Sequence, residues 1–478
     1  MKANKTILLA LPCLLSGLLL LSAQSLQAQS AEKDISWYVA HCPFPMTVPV
    51  VPEFPAHDFL LTDYGGIGDG HTLNTNAFQH AMEACSAAGG GRVVVGSGKW
   101  LTGPIQLLSH VNLYLAADAI VQFSSDHSLY PTIAGHGSAT PPLFAVGVDD
   151  IAITGSGIFD GAGDTWRPVK KEKMTPAQWS ALLSSGGELS ADGKIWFPAG
   201  ETGNRLRPVL LSLINCHHIL ISGVLLRNSP KFVFCPNHCS DLTMDHTRIF
   251  NDWWAQNGDG IDISACRKVV LYECTVNAGD DGICMKSSGS ASDGPALQDV
   301  VIAGCTVYRA HGGFVIGSNT DGGMHDIFVT GCHFIGTDVG LRFKSNIGRG
   351  GLVDDIYISD IQMQNIVREA VLFDTYYENI EVGLDKDPNK PKPQDKTPEF
   401  RDFHISRIYC NGAQTGIVIT GLPQMPVSKI SFDSLEIHST KGLVATQARD
   451  IDLHAVQWIV RDQPAIQADK TAEIRVRQ

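Results

Sequence analysis

Two adjacent aspartates, Asp280 and Asp281, stand between glycines in the stretch VNAGDDGICMKSS. Two ionised carboxylates repel each other. Their small neighbours also give these side chains little to pack against, so packing does not explain the pair. Close carboxyl groups separate each other's pKa values, so that one holds a proton while another stays charged. A general acid and a general base at one place are what hydrolysis of a glycosidic bond requires. The flanking glycines are expected to leave room for a sugar.

A repeated pattern of polar residues, alternating apolar residues and a turn runs through most of the chain. From Ile219 to Ile356, successive copies begin 23, 27, 31, 27 and 29 residues apart, as in HHILISG, SDLTMDH, RKVVLYE and QDVVIAG. The apolar runs have period two and are broken by Gly, Asn or Asp, which is typical of short strands. The spacing predicts an all-β solenoid, a parallel β-helix with about three strands per coil. A leucine-rich repeat is disfavoured because its fixed Leu and Asn pattern is missing.

The repeat aligns residues that are distant in sequence. Asp280, His311 and Asp338 each lie 11 residues after the first apolar residue of their copy, and each is followed two residues later by glycine. Equal offsets in stacked coils become neighbours about 4.8 Å apart. We therefore expect these three side chains on one face of the solenoid.

Further charged residues fall on the same face. Matching Gly260 to Gly282 puts Asp259 in register with Asp281, and a basic pair follows in a later coil. Each of these residues alone would be explained by its common occurrence in turns. Their convergence on one face favours a functional site. A basic pair suits a sugar that carries a carboxylate. The predicted cluster consists of Asp259, Asp280, Asp281, His311, Arg342 and Lys344.

Four motifs resemble those of glycoside hydrolase family 28, the polygalacturonase family. NGDG at 257–260, DD at 280–281, HGG at 311–313 and RFK at 342–344 are similar to the family's usual NTD, DD, GHG and RIK. The resemblance covers about 400 residues from Asp63 onward. The departures at Gly258, Ala310 and Phe343 leave the charged residues in place.

The resemblance implies a right-handed, single-stranded parallel β-helix of the pectin-lyase-like kind. It also implies hydrolysis of α-1,4-galacturonosidic bonds with inversion, without a metal or cofactor. Inversion needs acid and base carboxyl groups about 6.5–9.5 Å apart, with water between them. The implied roles are Asp280 as general acid, Asp259 and Asp281 as the residues that position and deprotonate water, His311 as support for the acid or a sugar contact, Arg342 and Lys344 as ligands of the galacturonate carboxylate, and Asn257 as an orienting residue.

The expected substrate is a pectic polysaccharide or an oligogalacturonide. Insertions near 166–205 and 383–400 could close one end of a groove, which would favour exo action. Four alternatives stay open: a rhamnogalacturonan-directed hydrolase, an endo-acting hydrolase of the same family, a pectate lyase whose carboxylates bind calcium, and a glycan-binding β-helix without catalysis.

The chain of 478 residues divides into three expected parts. Residues 1–28 have the basic start, apolar run and small residues of a signal peptide, which predicts export to the periplasm or the extracellular space and no membrane attachment after cleavage. Residues 29–60 form an extended leader, and 61–478 form the β-helix. Within it, TNAFQHAMEACSAAGGG predicts a helix that caps the open end of the solenoid, and MTPAQWSALLSSGG predicts a short helix with a Thr cap.

Charge and cysteine content narrow the partners. The formal net charge of −13 argues against nucleic acid and anionic membranes as partners. Of 12 cysteines, Cys13 lies in the signal segment, so the mature count is odd and at least one thiol is unpaired or pairs between chains. Cys235 and Cys239 are either a disulfide or small buried residues. A monomer is expected.

Overall fold

The computed structural model describes residues 33–132, 138–200, 206–289, 296–377 and 396–477. The expected signal peptide, 1–28, lies outside the described residues, as does most of the expected insertion near 383–400. Three α-helices are present in the described part, α1 Ile35–Ala40, α2 Thr75–Ala87 and α3 Pro176–Ser184. Short 3-10 turns lie at Leu61–Tyr64, His127–Leu129, Gly163–Thr165 and Lys171–Lys173.

Strands make up most of the described residues. The first are β1 Asp58–Leu60, β2 Asp69–Leu73, β3 Gly91–Val95, β4 Gly98–Thr102, β5 Ile105–Gln106, β6 Val111–Leu115, β7 Ala119–Phe123, β8 Leu143–Val146, β9 Asp149–Gly155, β10 Ile158–Asp160, β11 Val169–Lys170, β12 Glu188–Leu189 and β13 Ile195–Phe197. The middle strands are β14 Leu211–Ile214, β15 His217–Ser222, β16 Leu225–Arg227, β17 Phe234–Asn237, β18 Ser240–Asp245, β19 Arg248–Phe250, β20 Ile261–Ser264, β21 Arg267–Tyr272, β22 Thr275–Asn277, β23 Asp281–Lys286, β24 Leu297–Ala303, β25 Thr306–Tyr308 and β26 Gly312–Ile316. The last are β27 Met324–Thr330, β28 His333–Ile335, β29 Val339–Lys344, β30 Leu352–Val353, β31 Ile356–Gln364, β32 Glu369–Asp374, β33 Glu399–Thr420, β34 Val427–Thr446, β35 Ala448–Val460, β36 Ile466–Ala468 and β37 Ala472–Arg477.

These strands wind into a parallel β-helix with three sheets, as the repeat predicted, and the helix is right-handed, as the resemblance implied. The site sheet contains β5, β8, β14, β17, β20, β23, β26, β29 and β32 in spatial order. The second sheet runs from β1 through β3, β6, β9, β15, β18, β21, β24 and β27 to β31 and continues into β33, β34, β35 and β37. The third runs from β2 through β4, β7, β10, β16, β19, β22 and β25 to β28 and continues into the later parts of β31, β33, β34 and β35.

The core is one continuous column of apolar side chains inside the coil, from Phe59 to Leu453. Alternate residues of each strand point into it, so equivalent positions stack. On the site sheet, one such row consists of Ile261, Ile283, Phe314, Leu341 and Val371, which are paired strand to strand and all buried. The intervening residues of the same strands therefore face outward.

The polar residue that opens each copy of the repeat has a structural explanation. One such residue per coil adopts a left-handed backbone, at the corner where the chain enters the second sheet. Asp, Asn and His tolerate this conformation better than most residues. The residues in this row include His218, Asp241, Asp299, Asp326 and Asp355, with φ between 51° and 59°.

Helix α2 covers the amino-terminal end of the solenoid, as predicted. Its buried residues are Ala77, Phe78, Ala81, Met82 and Cys85. The leader differs from the prediction of a wholly extended segment, because it contains α1, which Asp34 caps by accepting a hydrogen bond from the Trp37 amide. Val39 of α1 packs on the second sheet against Val270 and Tyr272.

The insertion after Trp166 folds into a small unit on the side of the β-helix. It holds α3, with the predicted Thr175 cap and Pro176, and an antiparallel sheet of β11, β13 and β12. Val169, Trp179 and Trp196 form its own core, against which Trp254 of the main coil packs. The insertion is thus a packed structure joined to the site side of the solenoid.

All eleven described cysteines are free, so Cys235 and Cys239 do not form a disulfide. Most of them are buried in the turns, as small apolar residues are. No helix within the described ranges is long and apolar enough to cross a membrane.

Candidate active site

Four neighbouring strands of the site sheet, β20, β23, β26 and β29, hold the charged cluster. The pairing Ile261–Ile283 puts Asp259 level with Asp281, as the glycine match predicted. The pairings of Gly312 with Asp281 and with Val339 stack Asp280, His311 and Asp338 in the preceding position. Register within the solenoid therefore assembles residues that are as much as 79 positions apart.

The three aspartates converge. One carboxylate oxygen from each of Asp259, Asp280 and Asp281 lies within 4.8 Å of the other two. Strand β23 begins at Asp281, so Asp280 lies in the preceding bend, and the adjacent pair is not forced to opposite faces. Asp259 and Asp281 are only 4% and 2% exposed, whereas the Asp280 side chain is 23% exposed.

The glycines beside this pair serve packing instead of making room for a sugar. A Cβ atom on Gly282 would lie 2.5 Å from Val307 Cγ1, and one on Gly279 would lie 2.3 Å from the carbonyl oxygen of Ala255. Both contacts are with the protein, so the expectation that these glycines open space for substrate is wrong.

Asp281 is ion-paired with the basic residues of β29. Arg342 Nη1 lies 2.9 Å from Oδ1, and Lys344 Nζ lies 2.7 Å from Oδ2. Burial opposes the ionisation of Asp281, but Lys344 and Arg342 outweigh it and hold the pKa well below its usual range. The ring of Tyr377 lies beside both cations, with its centroid 5.4 Å from the Arg342 guanidinium and 4.9 Å from Lys344 Nζ. Asp281 is therefore an ionised carboxylate.

The pKa of Asp259 is shifted in the opposite direction from that of Asp281. Burial, reinforced by the neighbouring Asp262 carboxylate, raises its pKa well above the usual range. Lys286 counteracts this in part, since its Nζ lies 3.3 Å from Asp259 Oδ2 and 2.5 Å from Asp262 Oδ2. The buried Oδ1 of Asp259 has no hydrogen-bond partner among the described residues, which leaves it available to a ligand or to water.

His311 lies between Asp280 and the insertion. Its Nδ1 is 3.0 Å from Asp280 Oδ1, and its Nε2 is 3.4 Å from Lys173 Nζ. An ammonium group can only donate, so in this contact Nε2 accepts and Nδ1 carries the proton that is directed at Asp280. These contacts orient His311 toward Asp280, the most exposed of the three aspartates.

Asn257 stands apart from the other predicted residues. Its Oδ1 accepts a hydrogen bond from Arg207 Nη2 at 3.0 Å, and its backbone is left-handed, with φ of 51°. The side chain thus fixes the turn that leads to Asp259. An orienting role for Asn257 would act through this turn.

Sequence reasoning missed three residues of the cluster. Asp262 and Lys286 had a usable signal, because period two turns Asp262 outward from β20, level with Cys284 and Arg342. Lys173 had no such sequence signal, since it lies in an insertion outside the repeat.

Three carboxylates this close could also bind a cation, but the ammonium and guanidinium groups of Lys286, Lys344 and Arg342 already supply positive charge.

Comparisons with known proteins relate this chain to a family of glycoside hydrolases. A family model described as glycosyl hydrolases family 28 matches residues 171–395. A probable polygalacturonase of Vitis vinifera is 29% identical over 403 residues, which cover 80% of this chain and 74% of the relative. An exo-poly-alpha-D-galacturonosidase of Dickeya chrysanthemi is 27% identical over 426 residues, covering 82% of this chain and 68% of the relative.

A solved structure shares the architecture. The hyperthermoactive exopolygalacturonase from Thermotoga maritima aligns with a TM-score of 0.69 at 25% identity, covering 86% of this chain and 94% of its own. The fold and the carboxylate site define a parallel β-helix glycoside hydrolase. Within that class, the chain is similar to glycoside hydrolase family 28, the polygalacturonase family.

Proposed function

We propose that the chain is an exported polygalacturonase that removes units from the ends of polygalacturonate or oligogalacturonides by inverting hydrolysis. The observation that carries the proposal is the division of roles within one carboxylate cluster. Asp281 is ionised by its cationic partners, Asp259 is buried with a raised pKa, and Asp280 is more exposed and contacts His311. This division supplies acid, base and water-holding groups at one glycosidic bond.

In the proposed reaction, Asp280 gives its proton to the glycosidic oxygen as the bond to the anomeric carbon breaks. Water attacks that carbon from the opposite side, and its proton passes to Asp281 while Asp259 orients it. His311 positions Asp280. The sugar carboxylate shares Arg342 and Lys344 with Asp281, which weakens their hold on Asp281 and makes it a better base when substrate is bound.

The spacing of the cluster suits a held water molecule. A water at about 2.8 Å from each of two carboxylate oxygens bridges up to about 5.6 Å, and the nearest oxygens lie within 4.8 Å. This distance joins the closest oxygen atoms and is shorter than the expected separation of whole carboxyl groups. The anomer that is released first therefore decides the stereochemical outcome.

Exo action is supported by the insertion. Lys173 reaches the catalytic cluster from it, so the insertion forms a wall directly beside His311. A groove closed on one side favours binding of a chain end. The relatives from Dickeya chrysanthemi and Thermotoga maritima, which are named as exo-acting, agree with this proposal.

A product time course on polygalacturonate tests the function. We expect short products of one size from the first minutes, separated by thin-layer chromatography, and none from the Asp280→Asn variant. A ladder of intermediate oligomers would instead indicate endo action. Amino-terminal sequencing of the exported protein is expected to begin after Ala28.

A further inference from the structure

A cavity of about 330 Å³ lies beside His311, and Ala278 and Gly279, which precede Asp280, also line it. Its walls include Lys173, Trp253, Arg309, His311 and Asp338. The volume is within the range of ligand pockets, roughly 300–1,000 Å³. The acid–base chemistry proposed above uses only His311 of these residues, so the cavity has no assigned role.

The cavity has an excess of positive charge on a strongly acidic protein. Lys173 and Arg309 make no ion pair with any carboxylate that the structure describes. The single acid in the wall, Asp338, is 40% exposed and lies 3.9 Å from His311 Nε2. Two unneutralised cations against one carboxylate favour an anionic ligand.

Trp253 supplies an apolar surface to the same cavity. Its side chain is 38% exposed although it is large and aromatic. Trp254 packs against it edge to face, with ring centroids 6.0 Å apart, and so holds its orientation. Lys173 Nζ lies 5.4 Å from its centroid, which brings the cation and the ring to the same ligand. An aromatic face beside fixed polar groups is suited to a sugar ring.

We propose that this cavity is a second uronate subsite, distinct from the carboxylate contacts of Arg342 and Lys344. Lys173 and Arg309 bind the carboxylate of a uronate unit next to the one that is cleaved. Trp253 packs on the apolar face of its ring, and Asp338 accepts hydrogen bonds from its hydroxyl groups. The inference rests on the proposed function, because it assumes that the ligand is a uronate oligomer.

The subsite joins two separate parts of the chain. Lys173 ends the 3-10 turn Lys171–Lys173 of the insertion, whereas Arg309 follows β25 in a left-handed conformation, with φ of 45°. The insertion thus contributes a specificity residue as well as a wall. Its neighbour Lys171 is exposed, and the structure gives its side chain no ion pair, so it provides a matched control.

Calorimetric binding to Asp280→Asn protein, in which turnover is blocked, tests the subsite. The probes are trigalacturonate and the same trisaccharide fully methyl-esterified. Lys173→Met and Arg309→Met are each expected to weaken binding of the acid about tenfold and to leave binding of the ester within twofold. Lys173→Arg is expected to retain affinity, and Lys171→Met to change nothing.

Three results would overturn the subsite: affinity for the acid unchanged in both Met variants, equal losses for acid and ester, or no binding of trigalacturonate to the parent protein. Failure of the proposed function would be seen elsewhere, as absence of polygalacturonate hydrolysis by the unmodified enzyme. The binding measurement does not depend on hydrolysis, so the two failures are distinguishable.

Discussion

Lys344 and Asp281 form an ion pair that is almost closed to solvent. Nζ of Lys344 lies 2.7 Å from Oδ2 of Asp281, and the two side chains are 6% and 2% exposed. The pair keeps a carboxylate ionised in a place where burial alone would favour the neutral form. The ionised state of Asp281, which we propose as the base, and the stability of the fold therefore depend on the same contact.

Replacing Lys344 by Met is expected to destabilise the protein strongly, because it leaves Asp281 buried with one cationic partner instead of two. We expect a loss of about 3 kcal/mol in the free energy of unfolding at pH 7, measured by urea denaturation. Lys429→Met is the matched control, since its ion pair with Asp402 is exposed, at 3.6 Å, and worth less than about 1 kcal/mol. Equal losses in the two variants would contradict this account of the buried pair.

Ionisation of Asp259 is expected to lower the free energy of unfolding as pH rises. The unfolded chain releases this proton near pH 3.9, whereas the folded protein retains it to a higher pH. The folded state binds more protons between those values, so stability falls with rising pH there. Asp259→Asn is expected to match the unmodified protein below pH 3.9 and to be the more stable of the two at pH 7.

Urea denaturation at several pH values would show this divergence. Asp118→Asn, at an exposed position, is the control and is expected to show no pH-dependent difference. A constant offset between Asp259→Asn and the unmodified protein would mean that Asp259 does not titrate as inferred.

Asp280→Asn is expected to abolish turnover without harming the fold. The side chain is partly exposed and contacts His311, so the amide fits the same space but has no acidic proton to give. We expect the rate of reducing-end release on polygalacturonate to fall about 10³-fold, with unfolding and substrate affinity nearly unchanged. Activity close to that of the Asp118→Asn control would refute the role of Asp280 as the acid.

Cleavage is expected to be hydrolytic and independent of added metal. Lys286, Lys344 and Arg342 already meet the charge of Asp259 and Asp281, so the cluster does not depend on a cation for neutralisation. We expect full activity in chelator and no ultraviolet absorbance from unsaturated uronide products. Appearance of that absorbance, abolished by chelator, would show a lyase.

Inversion is expected to release the β-anomer first from the α-linked substrate. Proton NMR during the first minutes, before mutarotation, distinguishes the two anomers. Initial release of the α-anomer would show retention, and one aspartate would then act as a nucleophile instead of a base.

Much of the site was accessible from sequence because the repeat fixes register. Asp280 is level with His311, as equal offsets predicted, and Asp259 is level with Asp281, as the match of Gly260 to Gly282 predicted. The same logic would have found Asp262, which lies level with Cys284 and turns outward by strand alternation. Register is readable here because one face of every strand must stay in the core.

Strand register alone does not predict which side chains contact each site residue. The pairing of Asp281 with Lys344 depends on how a long side chain bends across the one coil that lies between them. Lys173 lies in an insertion whose path no repeat determines. The prediction that the glycines leave room for a sugar was wrong for a similar reason. Gly282 approaches Val307 across the interior, between strands of two different sheets, and the repeat does not predict such a contact.

The strands of the candidate site, β20, β23, β26 and β29, lie in the middle of the stack, with paired strands of the same sheet on both sides. Each coil of a solenoid touches only its neighbours, so the ends fray before the centre opens. Slow amide hydrogen exchange should therefore be concentrated around the carboxylates, and the outer coils should exchange faster. On heating, spectroscopic signals of unfolding should begin to change while the enzyme still turns over.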